Sequence, residues 1–264
     1  MKVGIITGTG TYVLPGFEGA TQSVCRTRFG ETVVTEGRLG EVDVVHVSRH
    51  GEGHARLSNH VTHRSNIAAL QQLGADCVIG VTVCGAVDAA LELGSLIVFD
   101  DLHFLANRLA DGSLCTFYDT AGDPQRGHWI FDSPFCAELR EVLIEACGEV
   151  GASHASAGCY GHVDGPRFNT RAEIRSLAQA GVTAVSQTAG PETTLCGEAE
   201  LPYALLGYAT DYANGVKDTP TPVAELLRLI DVSRDVFADV LAAAVPRLAG
   251  RSPAAPGTVY RFDG

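Results

Sequence analysis

The chain has 264 residues, 45% hydrophobic and 19% charged, enough to bury a sizeable core as one large α/β domain or two small ones. A formal net charge of −12 argues against an electrostatic grip on nucleic acid or an anionic membrane, so an anionic ligand needs a local basic pocket. Its eight cysteines form no C-x-x-C pair and sit mostly in apolar stretches, which points to reduced thiols in a cytoplasmic protein rather than a zinc or redox module.

Residues 2–6 read as a buried strand entered at once, without the apolar run or cleavage site of a signal peptide. The strand ends in Thr7-Gly8-Thr9-Gly10-Thr11. A glycine loop at this place invites a dinucleotide-binding reading, but Val13 stands where the third glycine belongs, and no Gly-Lys-Ser/Thr follows for a Walker loop. Two readings stay open: an anion-binding turn built from backbone N–H groups and a threonine hydroxyl, or a plain tight turn. Residues 32–36 and 42–47 are further strands around a turn at Arg38-Leu39-Gly40.

Directly after the strand at 42–47 comes Ser48-Arg49-His50-Gly51-Glu52-Gly53-His54. An α/β fold presents side chains at such a carboxyl strand end. An Arg beside a His suits an oxyanion such as phosphate, and glycines let the backbone approach it. A metal reading of His50, His54, His60 and His63 fails on spacing. Glu52 lies two residues after His50, so there is no H-E-x-x-H, and Gly51 and Gly53 would break the helix that motif needs.

Residues 61–73 have helical apolar spacing and stop at Gly74, and 77–83 is a β-branched run of the kind buried on both faces of a sheet. A strand is predicted at 96–99, a helix at 136–147 ending at Gly148, and a helix at 171–180 closed by Gly181. Strands follow at 182–186 and 204–209, and helical periodicity at 223–248. The Pro/Gly-rich tail after Arg251 is expected to be loose. No segment reaches the roughly 18 apolar residues of a membrane helix. Strands alternating with helices predict a single α/β domain over 1–264, with a central mixed sheet surrounded by helices.

Three more polar segments matter. Gly165-Pro166-Arg167-Phe168 precedes the helix from Arg171; its plain reading is a turn with Arg167 in a salt bridge and Phe168 in the core. Gln187-Thr188-Ala189-Gly190-Pro191-Glu192 and Thr210-Asp211-Tyr212 each follow a buried strand. In one sheet, these strand ends and Arg49-His50 converge on a single crevice.

With these residues in place, the chain resembles the 5′-methylthioadenosine phosphorylases, within the trimeric purine nucleoside phosphorylase family. The likeness runs from Val3 to about Tyr212 and adds Asn66-Ile67, Cys84-Gly85, Thr116-Phe117-Tyr118-Asp119, Pro134-Phe135-Cys136 and Glu198-Ala199 to the segments above. The resemblance implies phosphate-dependent cleavage of a nucleoside, inorganic phosphate as co-substrate, no metal or organic cofactor, and homotrimers with shared active sites. It implies a phosphate site at Thr9, Arg49, His50 and Thr188 with the backbone around Val83. Phe168 would stack on the base beside Cys84-Gly85, and Asp211 would face purine N7 as the catalytic acid. His54, and His128 from a neighbouring subunit, would lie near the 5′ substituent.

The departures are specific. Asn169 stands where the family has a phosphate-binding Ser or Thr, Gln187 replaces the methionine under the ribose, and Ala213 replaces an aspartate that faces the 6-amino group of adenine. Asn214 is adjacent to that position. Losing an acceptor lowers discrimination among bases rather than creating a new preference. The substrate expected is a purine nucleoside, 5′-methylthioadenosine-like or otherwise 5′-modified. The alternatives are a 6-oxopurine or 5′-modified pyrimidine nucleoside, a nucleoside hydrolase suggested by Asn169, and a catalytically silent nucleoside-binding trimer.

Overall fold

The computed structural model describes residues 1–9 and 16–262. Gly10, Thr11 and Val13 of the glycine loop lie outside the described residues. The chain begins with four strands, β1 (Lys2–Thr7), β2 (Glu18–Thr27), β3 (Gly30–Leu39) and β4 (Val42–Ser48), followed by helix α1 (His63–Gln72). Strands β5 (Cys77–Ala86), β6 (Leu96–Val98), β7 (Asp101–His103) and β8 (Gly127–Ile130) lead to α2 (Ala137–Glu149). Then come β9 (His154–Ala155), β10 (Cys159–His162), α3 (Arg171–Gln179), β11 (Val182–Ser186), α4 (Ala189–Glu198), β12 (Tyr203–Tyr212), α5 (Val223–Ala244) and β13 (Thr258–Arg261).

Alternation along the central strands explains the layers. In β5, Cys77, Ile79 and Val81 enter one core while Val78, Cys84 and Ala86 enter the other. In β12, Ala204, Leu206 and Tyr208 face the first, and Tyr203, Leu205 and Ala209 the second. Because side chains alternate across a strand, both faces of these runs are apolar and both need cover. Helices α2 and α5 cover one face through Leu139, Leu143, Phe237 and Leu241; α1 and α4 cover the other through Ile67, Leu70 and Leu195.

The sheet is mixed. Its main path runs β2-β3-β4-β1-β5-β11-β10-β7, with β12 also on β5 and β6 bridging β12 and β9. Strand β1 pairs in parallel with both β4 and β5, whereas β11 meets the end of β5 antiparallel at Gly85 and Ala86. Beyond Gly80, therefore, β5 leaves β1 and later picks up β11, and the sheet opens there. The carboxyl ends of β1, β4, β5, β11 and β12 surround this opening.

Two departures from the sequence expectation have physical causes. The tail after Arg251 is not loose throughout: β13 pairs antiparallel with β8, and Val259 is buried. Helix α4, which the sequence reading did not assign, starts inside the polar segment 187–192, because Pro191 falls in the first helical turn, where no N–H is needed. No helix among the described residues is long and apolar enough to cross a membrane. All eight cysteines are free thiols.

Candidate active site

Each strand end brings its own side chain to the opening. Strand β1 delivers Thr9; β4 delivers Arg49 and His50; β5 delivers Val83, Cys84 and Gly85; β11 delivers Gln187 and Thr188. Strand β12 delivers Asp211, and here the ladder slips: Ala209 opposes Cys84 but Asp211 opposes Gly85, leaving Thr210 as a bulge. Such an extra residue re-aims the side chain that follows. Together these residues line one cavity of about 310 Å³, completed by Phe168, Asn169, Ala213 and Asn214 from the loops and by Leu226 and Ile230 from α5.

At one end lies a buried ion pair. Arg49 and Glu192, each about 1% exposed, form two parallel hydrogen bonds: Nε to Oε1 at 2.6 Å and Nη2 to Oε2 at 2.8 Å. Nη1 donates to the Val81 carbonyl at 2.8 Å. The Tyr203 hydroxyl donates to Glu192 Oε2 at 3.1 Å. Burial alone would depress the guanidinium pKa, but the Glu192 carboxylate over-compensates and holds it above its usual value. Two glycines make room. A Cβ on Gly8 would collide with Arg49 Nη1, and one on Gly80 with the Tyr203 hydroxyl. A guanidinium carries five N–H groups, so these three bonds leave one N–H on Nη1 and one on Nη2 for a ligand.

His50 is not a second cation. Burial, with Arg49 nearby, pushes its imidazole down to about 3. A neutral ring has one N–H, and Nδ1 lies 2.8 Å from the Arg56 carbonyl, which can only accept. The proton therefore sits on Nδ1, and Nε2 keeps its lone pair. His54 stacks on this ring at 4.2 Å between centroids. Gly51 and Gly53, both at positive φ, shape the turn that brings the second ring back over the first. Thr188 begins α4, and its hydroxyl does not cap the helix; the Tyr160 hydroxyl instead accepts from the N–H groups of Thr188 and Ala189 at 3.4 and 3.1 Å.

The other end is apolar and more open. Burial pushes the Asp211 carboxyl above its usual range, although Thr210 Oγ1 donates to its Oδ1 at 3.0 Å. A shift in that direction favours the protonated form, the one with a hydrogen to donate. Phe168 is 62% exposed while lining the cavity, not in the core. Its loop is held by the salt bridge of Arg167 with Glu173 and by the capping box of Thr170 with Glu173 that starts α3. Arg167 thus takes the plain structural role. The Asn169 backbone carbonyl accepts from Asn214 Nδ2 at 2.7 Å.

His128 does not line this cavity. It sits exposed on β8, opposite Tyr260 of β13, with Phe262 edge-on at 5.5 Å. Among the described residues, no group of three or more His, Cys, Asp or Glu side chains could hold a metal ion. Sequence reasoning gave Glu192 no role. The available signal was an acidic residue in the first turn of a segment rich in small residues, Ala189–Glu198. It also missed Ser58 and Tyr160, which act through contacts distant in the chain.

A family model described as the phosphorylase superfamily matches residues 2–246. The 6-oxopurine nucleoside phosphorylase of Pyrococcus furiosus is 30% identical over 250 residues, covering 93% of this chain and 92% of that protein. The S-methyl-5′-thioadenosine phosphorylase of Aedes aegypti is 35% identical over 217 residues, covering 80% and 76%. Among solved structures, methylthioadenosine phosphorylase from Schistosoma mansoni in complex with adenine superposes with a TM-score of 0.85 at 27% identity, covering 95% of this chain and 92% of that one.

Proposed function

The chain belongs to the phosphorylase superfamily, and from that premise we propose that it is a purine nucleoside phosphorylase, a pentosyltransferase that moves the sugar of a purine nucleoside onto inorganic phosphate. The products are the free base and a ribose 1-phosphate derivative. One observation carries the reading: a single cavity has Arg49, His50 and Thr188 at one end and Asp211 with Phe168 at the other. A nucleoside needs its base and its attacking phosphate on opposite sides of C1′, and the cavity provides both.

In this reading phosphate sits against the two uncommitted N–H groups of Arg49, with the Thr9 and Thr188 hydroxyls and the backbone at Val83 beside it. His50 Nε2 accepts the proton of a P–OH group. Because Glu192 already pairs with Arg49, phosphate is positioned by hydrogen bonds yet keeps much of its negative charge. That charge opposes the positive charge developing on the sugar as the C1′–N9 bond breaks. The bonding pair leaves with the base, Asp211 gives its proton to N7, and a phosphate oxygen forms the new bond to C1′. Phe168 covers the base.

The relatives divide between 6-oxopurine nucleosides and methylthioadenosine, and the Ala213 side chain offers the base no hydrogen bond to choose between them. Asn169 lines the same cavity and is the remaining member of the phosphate set. We assign the whole of 1–264 to one cytoplasmic domain that assembles as a homotrimer, with His128 serving a neighbour's cavity near the 5′ substituent. Its exposed place on a ribbon beside Tyr260 and Phe262 supports this. A panel of purine and pyrimidine nucleosides, read by base release with and without phosphate, tests the reading. Purine release that requires phosphate is expected. Release indifferent to phosphate would mean a hydrolase, and tight binding without turnover a silent trimer.

A further inference from the structure

Gln187 joins the two ends of the cavity. Its chain neighbour is Thr188, at the phosphate end, and its Nε2 donates at 3.1 Å to the carbonyl of Arg167, the residue before Phe168 at the base end. Its Oε1 accepts from Ser58 Oγ at 2.8 Å. Two segments distant in the chain thus hold this amide in one orientation. The fit is close: a Cβ on Gly165 would collide with both Gln187 Oε1 and Ser58 Oγ. Gln187 lines the cavity, flanked by Thr188 in the chain and by the loop that carries Phe168.

An amide has two N–H groups and two acceptor lone pairs. Ser58 takes one lone pair and Arg167 one N–H, which leaves one of each. An occupied cavity cuts both off from water, and a buried amide group without a partner is costly. The remaining pair calls for a ligand group that donates and accepts at one place. A hydroxyl does this, an apolar methylene does not, and between its base and C1′-attacking phosphate a nucleoside offers the ring hydroxyls of its sugar.

We propose that Gln187, oriented by Ser58, is a specificity-determining residue that reads a ring hydroxyl of the sugar and makes the cavity selective for ribonucleosides over deoxyribonucleosides. The inference rests on the phosphorylase reading of the same site and names the sugar class that it takes. The hydroxyl donates to the free lone pair of Oε1 and accepts the free N–H of Nε2.

The test measures kcat/KM for a purine ribonucleoside and its 2′-deoxy and 3′-deoxy counterparts at saturating phosphate, in the unaltered protein, Gln187→Met and Ser58→Ala. Loss of one well-formed hydrogen bond is worth on the order of tenfold. The unaltered protein is therefore expected to favour the ribonucleoside about tenfold over one of the deoxy compounds. Gln187→Met should bring that ratio close to one. Ser58→Ala, which frees the amide to turn, should give a ratio in between. A merely structural role for Gln187 would lower all three substrates together and leave the ratio fixed. A fixed ratio in Gln187→Met, or no preference in the unaltered protein, overturns the proposal while the phosphorylase reading stands. Absence of phosphate-dependent release from every compound would overturn the reading beneath it.

Discussion

The two ends of the cavity are built on opposite principles. At the end proposed for phosphate, Arg49, Glu192, His50 and Thr188 are all buried, and hydrogen bonds tie Arg49, after β4, to Glu192 of α4 and Glu192 to Tyr203 of β12. At the end proposed for the base, Phe168 and Asn214 are exposed, Ala213 offers no polar side-chain group, and Asp211 supplies a carboxyl, its pKa raised by burial. A fixed end suits an invariant small anion whose position must be set before reaction. An open end suits a variable base, recognised by stacking and one proton.

The sharpest way to break this contrast is to remove Glu192. Glu192→Ala leaves the Arg49 charge buried and unpaired, which costs about 3–5 kcal/mol. Denaturant unfolding should show that loss, and phosphate-dependent turnover should vanish with it. A stability change under about 1 kcal/mol, the range of an exposed pair, would mean the pair is not buried in solution.

At the other end, Asp211→Ala should lower kcat by about 10²–10⁴, the usual contribution of a positioned acid, with little change in stability. Asp211→Asn keeps a hydrogen-bond donor but has no proton to transfer, so its kcat should fall between the two. Full activity in the alanine variant would remove Asp211 from the chemistry.

Acid should separate the ends by sign. His46 and His50, held neutral by burial, are depressed from 6.5 to about 4 and about 3. Below pH 6.5 the unfolded chain therefore binds protons that the native fold refuses. Their contribution is fully present above pH 6.5 and is lost as pH falls towards those depressed values. Asp211, raised by burial, works the other way: the native fold holds its proton more tightly than the unfolded chain does. Between about pH 7 and 4.5 the histidines should dominate, each costing about 1–3 kcal/mol. Unfolding curves over that range check this, and His50→Gln should flatten the slope. An unchanged slope in that variant would contradict the buried neutral imidazole.

The smallest effect belongs to the open end. Phe168→Ala should raise the nucleoside KM by roughly 3–10-fold, the worth of about one aromatic contact, and leave the phosphate KM and the unfolding curve where they were. A rise in phosphate KM instead would show that the two ends are not independent.

Much of this was legible in the chain because strand ends carry local signals. Arg49-His50, Gln187-Thr188 and Asp211 each follow an apolar run, and the topology brings those runs side by side. What escaped was whatever depends on contacts distant in sequence. Helix α4 is buried on nearly every side, so it has no amphipathic stripe, and Gly190-Pro191 looks like a loop. Strand β2 is exposed except at Cys25, which is buried, and Thr27, which is half-buried, so it lacks alternation. The charge state of His50 follows from burial against Arg49, and the Arg49–Glu192 pair spans 143 positions.

The most direct measurement of the central claim is the stoichiometry of products from a purine nucleoside turned over with isotopically labelled phosphate. Cleavage by phosphate requires one labelled sugar 1-phosphate for every base released. Free sugar appearing with the base, and no label in the sugar, would contradict it.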